Sequence, residues 1–239
     1  MHRRLSTTVM RAIALAATVA AAPAGAQGVW TDWTSFTPAA GANPAMLMGS
    51  MTFAGPQVVA VTYTGEVYGY QTACGNDYWT PDATYDAPGI SAPTNCDLIQ
   101  LVGGAGTGLH TLTFSQPVVN PFMAILSLGG GNAATYNFNA PFDVVSQGQG
   151  AFGNGTLTEL AGDIVSGQEG NGTIQFQGTF TSISWTVPTG ETWHGFTVGA
   201  AGIGSLQTSV PEPSTVALLG IGMVGVGAVA RRRARKQIA

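Results

Sequence analysis

Five aromatic residues, Tyr68, Tyr70, Tyr78, Trp79 and Tyr85, are interleaved with Asp77, Asp82, Asp86 and Asp97 around Cys74 and Cys96, the two cysteines of the 239-residue chain. Aromatic faces stack on the apolar faces of sugar rings, and carboxylates accept hydrogen bonds from sugar hydroxyls, so this composition suits a saccharide. The same aromatics could instead roof a small satellite core beneath a loop closed by a disulfide. The residues alone leave both readings open.

Hydrolysis of a glycoside needs two carboxyl groups, and Glu66, Glu159, Asp163, Glu169 and Glu191 are candidates for such a pair. A secreted carboxylate-dependent glycoside hydrolase is therefore the alternative function. Other catalytic signatures are missing: the sequence holds no His-Glu-x-x-His, no Gly-x-Ser-x-Gly, and no Lys or Arg from Gln27 to Ala230 to clamp an anionic substrate. Gly148-Gln-Gly-Ala-Phe-Gly153 spells a dinucleotide fingerprint, but a Gly- and Thr-rich strand-like segment follows it where a helix would be needed. Two cysteines cannot complete a four-ligand zinc site, and His110 and His194 stand far off in sequence. The acidic spacing of an EF-hand is absent, so the eleven carboxylates that precede Glu212 read as solvated charge. A domain so charged, with no positive residue, repels phosphates and excludes nucleic acid. The expectation is a non-enzymatic protein with no metal and no cofactor.

All eight basic residues lie at the ends: Arg3, Arg4 and Arg11, then Arg231, Arg232, Arg233, Arg235 and Lys236. At the front, a basic region, the apolar run Ala12 to Ala22 and the small residues Ala24-Gly25-Ala26 have the anatomy of a signal peptide over 1–26, which signal peptidase would cut to leave Gln27. At the back, Val210-Pro211-Glu212-Pro213 precedes an uncharged stretch from Val216 to Ala230 and then the basic cluster. As a helix that stretch would rise roughly 22 Å, enough for a thin bilayer or a transient span. Arg and Lys resist translocation, so the cluster would act as a stop signal in the cytoplasm with everything upstream outside. The two prolines flanking Glu212 fix φ and lack backbone donors, keeping the peptide extended and open to a processing enzyme.

Pro211-Glu212-Pro213, the Gly-rich apolar helix and the terminal basic cluster together closely resemble the PEP-CTERM sorting signal of Gram-negative bacteria. The resemblance covers about the last thirty residues, 210–239. It implies an exosortase-type processing partner acting near Pro211, Glu212 and Pro213, with 216–230 as the transmembrane helix and Arg231 to Lys236 as the stop signal. It also implies a protein that passes through the inner membrane and ends at the cell surface or outside the cell, in bacteria that make exopolysaccharide. In that oxidising setting Cys74 and Cys96 are expected to pair, closing a loop worth about 3 kcal/mol in chain entropy.

The remainder, 27–209, is long enough for one core and rich in Gly, Thr, Ser, Asn and Gln. Short apolar runs alternate with turn residues: Val58 to Thr64, Leu112 to Phe114, Phe122 to Leu128, Thr135 to Phe138, Phe142 to Val145, Thr173 to Phe176, Thr181 to Val187 and Gly195 to Val198. The linkers Gly129-Gly-Gly-Asn132, Gly148-Gln-Gly150, Gly153-Asn-Gly155 and Gly170-Asn-Gly172 favour tight turns between antiparallel neighbours. The pattern predicts an all-β ectodomain, an antiparallel β-sandwich of jelly-roll type. Thr113 to Val198 also resembles a recurrent ectodomain type among PEP-CTERM proteins, a resemblance that implies the β fold and no particular activity.

Overall fold

The alternation in Val59-Ala-Val-Thr-Tyr63 is realised as a strand whose Val59, Val61 and Tyr63 are fully buried while Thr62 and Thr64 stay on the outer side. This is one of fourteen strands of the computed structural model, which describes residues 27–37, 43–55 and 57–204. The expected signal peptide, the Pro211-Glu212-Pro213 motif, the 216–230 helix and the Arg231–Lys236 cluster lie outside the described residues. In chain order the first strands are β1 (Val29–Trp30), β2 (Asp32–Thr37), β3 (Ala45–Phe53), β4 (Gln57–Gly65), β5 (Gly69–Gln71), β6 (Leu98–Leu101) and β7 (Leu109–Leu128). They are followed by β8 (Ala134–Phe138), β9 (Phe142–Gln147), β10 (Leu157–Leu160), β11 (Ile164–Gly167), β12 (Gly170–Phe176), β13 (Thr179–Thr186) and β14 (His194–Ile203). Among the described residues the helical content is one 3-10 turn, Asp82–Thr84.

Every pairing between these strands is antiparallel, as expected. The long strand β7 organises them, because it belongs to two arrays. Its first half pairs β4 and β13, building β2-β3-β4-β7-β13-β8-β11-β10. Its second half pairs β12 and β14, building β9-β12-β7-β14-β6-β5, with β1 also on β14. The change of array falls between Pro117 and Pro121, where Asn120 adopts φ 45°. There the Asn120 N–H donates to Gly178 O at 2.7 Å, and the Gly178 N–H returns a bond to Asn120 Oδ1 at 2.8 Å. Prolines that remove ladder donors and one left-handed residue let a single strand bend from one layer into the other.

The arrays pack their inner faces together as a sandwich-like fold. Tyr63 of β4 and Trp185 of β13 in the first array meet Phe196 of β14 in the second, with ring centroids 5.3 and 5.2 Å apart. Phe138 of β8 meets Phe176 of β12 at 5.1 Å.

Two sequence expectations are corrected. Leu112 to Phe114 and Phe122 to Leu128 are parts of one strand rather than two. Gly170-Asn-Gly172 is not a turn: it opens β12, with a register shift between Gly170 and Gly172, and Asn171 is buried. Asn171 replaces missing ladder bonds, accepting from the Ser127 N–H at 2.8 Å and donating to Glu169 O at 2.7 Å. A bulge uses the same Gly and Asn that a turn does, because both need unusual φ.

Candidate functional site: an aromatic platform on the disulfide loop

The second array would expose an apolar outer face without a cover, since Ala124 and Leu126 of β7 and Leu98 of β6 point away from the main core. The segment from Cys74 to Cys96 lies over them. Its ends are joined by the disulfide, whose Cα atoms are 4.0 Å apart, and by a Gly75 N–H bond to Asn95 O at 3.0 Å. Inside it, Trp79 and Tyr85 are 1% and 0% exposed and meet edge to face at 5.3 Å above Ala124 and Leu126. The Trp79 indole donates to Cys96 O at 3.2 Å, and Tyr85 O accepts from the buried Thr173 hydroxyl at 2.9 Å, tying loop to β12. Burial, with Asp77 adding to it, pushes the Tyr85 hydroxyl well above its usual pKa. For Trp79 and Tyr85 the satellite-core reading therefore holds, and neither offers a free face for stacking.

Of the other three predicted aromatics, two are exposed and Tyr78 is half-buried against this satellite core. Tyr68 and Tyr70 are 53% and 43% exposed at the β5 edge, where Tyr70 packs on Phe36 at 4.5 Å. Tyr78 stands apart from them and joins two rings that the sequence did not single out, Phe152 and Trp193. Centroids are 5.9 Å apart for Tyr78–Phe152, 6.0 Å for Tyr78–Trp193 and 5.1 Å for Phe152–Trp193. Phe152 remains 51% exposed. Three chain segments thus meet in one aromatic platform: the disulfide loop, the Gly148–Gly153 loop and the lead into β14.

Grooves adjoin it through the chain. One, of about 480 Å³, is lined by Val102, Gly103, Gly131, Asn132, Glu191 and Thr192, next to Trp193. Another, of about 360 Å³, is lined by Asn154, Gly155, Thr156 and Gln168, two residues past Phe152. Three of the five candidate carboxylates border this end of the molecule. Glu66 accepts from the Gly103 N–H at 2.9 Å, Glu191 from the Gly129 N–H at 2.7 Å, and Glu169 from the Ser127 hydroxyl. Gly129, at φ 78°, is needed here, since a Cβ would stand 2.7 Å from the Ala134 nitrogen. Glu159 and Asp163 belong to the β10–β11 hairpin and take no part. Among the described residues no group of three or more His, Cys, Asp or Glu side chains could hold a metal ion.

Beneath the groove lies a buried polar cluster. Tyr63 Oη donates to Glu66 O at 2.6 Å and is 2.7 Å from His110 Nδ1, while His110 stacks on Trp185 at 5.4 Å. Burial, reinforced by His194, pushes His110 down to about 4. Burial also raises the Tyr63 and Tyr136 hydroxyls, with nearby carboxylates adding to it. Glu191 Oε1 lies 2.7 Å from His194 Nδ1, but off the hydrogen-bond axis, so neither ring nitrogen of His194 has a directed partner.

The described domain is thus all-β, closed by one disulfide, and carries no Lys or Arg. The PEP-CTERM protein-sorting motif matches residues 209–234, so the chain carries a PEP-CTERM sorting signal at this end. The motif marks it as exported and extracellular, sorted by an exosortase-type enzyme. No curated protein and no solved structure matches the chain.

Proposed function

We propose that this is a non-enzymatic cell-surface or matrix protein that associates with exopolysaccharide by stacking sugar rings on Tyr78, Phe152 and Trp193. The supporting observation is the platform itself: three rings in mutual contact, one of them half exposed, beside polar grooves. Aromatic area held in place by ring-on-ring packing lowers the entropy cost of binding, and Asn132, Thr192 and Asn154 in the two grooves can hydrogen-bond sugar hydroxyls. Before reaching the surface the chain loses 1–26 to signal peptidase and passes through the inner membrane by way of the 216–230 helix. It is then processed near Pro211-Glu212-Pro213, leaving a jelly-roll-like ectodomain outside the cell. Intact mass of the protein from cell fractions tests this route; a species ending at Ala239 in the inner membrane would contradict processing. The binding half is tested by incubating the full chain with soluble polysaccharides. Saturable binding without new reducing ends is expected, whereas reducing ends that vanish with Glu169→Gln would establish the hydrolase instead.

A further inference from the structure

We infer that the platform takes a glycan bearing protonated amino groups, an amino-sugar polymer, in preference to a neutral or acidic one. This rests on the reading that Tyr78, Phe152 and Trp193 bind sugar rings, and adds what selects among them. Stacking alone discriminates poorly, because every pyranose has an apolar face, so charge must decide. The segment from Gln27 to Ser209 carries eleven carboxylates and no Lys or Arg, so a uronate or sulfated chain would meet repulsion and find no cation.

Two of those carboxylates converge beside the platform. The side chain of Glu169 crowds the position a Cβ on Gly153 would take, next to Phe152, and Glu191 lies two residues before Trp193. Glu169 Oε1 and Glu191 Oε2 come within 3.9 and 3.6 Å of where a Cβ on Gly130 would stand, so this glycine leaves an open gap between two acceptors. The remaining oxygens are anchored: Glu169 Oε2 by the Ser127 hydroxyl, Glu191 Oε1 by the Gly129 N–H. An ammonium group brings three donors and a charge to that gap while its ring lies on the aromatics.

The experiment is calorimetry of the full chain with glucosamine oligomers, N-acetylglucosamine oligomers of the same length, and a polyuronate, at a mildly acidic pH that keeps the amines charged. Glucosamine oligomers should bind about tenfold more tightly than the acetylated ones, lose that advantage in added salt, and leave the polyuronate without detectable binding. Glu169→Gln should narrow the preference, while Asp143→Asn, which removes an equal charge from β9, should not. Equal affinity for the two oligomers, equal effects of the two substitutions, or equally tight binding of polylysine would overturn the inference and leave glycan binding standing. Failure of every oligomer to bind would overturn both.

Discussion

The two arrays treat their outer faces in opposite ways. The second is roofed by the disulfide loop, which buries Trp79 and Tyr85 on Ala124 and Leu126 and leaves Tyr78 half-buried at their side. The first is bare across β3, β4, β7 and β13, with Met46 opposite Thr64, Thr64 opposite Thr111 and Thr111 opposite Ser184 in one row. A second row runs Met48, Thr62, Thr113, Ser182. Neither row holds a charge. Hydroxyls let a sheet face meet water without a cover, whereas the Ala and Leu positions of the other face require one. The cover also brings Tyr78 into contact with Phe152 and Trp193.

Substitutions should separate these faces sharply. Trp79→Ala, which empties the satellite core, should cost about 4 kcal/mol in denaturant unfolding and release the loop, read as a gain in protease sensitivity. Cys74→Ser with Cys96→Ser should cost about 3 kcal/mol by freeing the unfolded loop, and reduction of the wild type should match it. Acid acts on the interior that both arrays share. His110 is held down to about 4, so the unfolded chain takes up its proton first. Stability from this group is complete above its unfolded value near 6.5 and falls by about 3 kcal/mol as pH drops towards 4. Asp97 works in the other direction. Burial raises it to about 6 against the Trp33 N–H bond, so its penalty is full above pH 6 and fades as pH falls towards 3.8. His110→Gln should flatten the first dependence and expose the second. Phe152→Ala, on the platform, should cost only about 1 kcal/mol of stability. Thr113→Val and Met48→Ala, on the bare face, should stay within about 0.5 kcal/mol.

Much of this contrast could be read from the sequence, but not where the rings would meet. Period-two runs located β4, β8 and β13 because one side of each faces the core, whereas β14, buried on both faces, showed only as a short apolar run. β7 was legible only in pieces, since Pro117 and Pro121 are ordinary strand breakers until a change of array makes use of them. The two cysteines announced the loop, whose aromatics left packing and binding both open, and of these Trp79 and Tyr85 pack. The division of labour between Trp79 and Tyr78 was hidden, because neighbouring residues take opposite sides and nothing local says which side is covered. Phe152 stood inside a glycine-rich string that spells a nucleotide motif, and Trp193 lies 115 residues beyond Tyr78. Their meeting is a product of topology, which sets the β9–β10 loop and the start of β14 at the same end as the disulfide loop.

The proposed polysaccharide site is the platform, not the bare face. The most direct test compares two double variants of the full chain, Phe152→Ala with Trp193→Ala and Met46→Ala with Met48→Ala, for binding to exopolysaccharide prepared from the native cells. Loss of about tenfold or more in affinity for the first, with wild-type affinity for the second and an unchanged fold in both, is the predicted result. Wild-type affinity in the platform variant, or an equal loss in the bare-face variant, would contradict it.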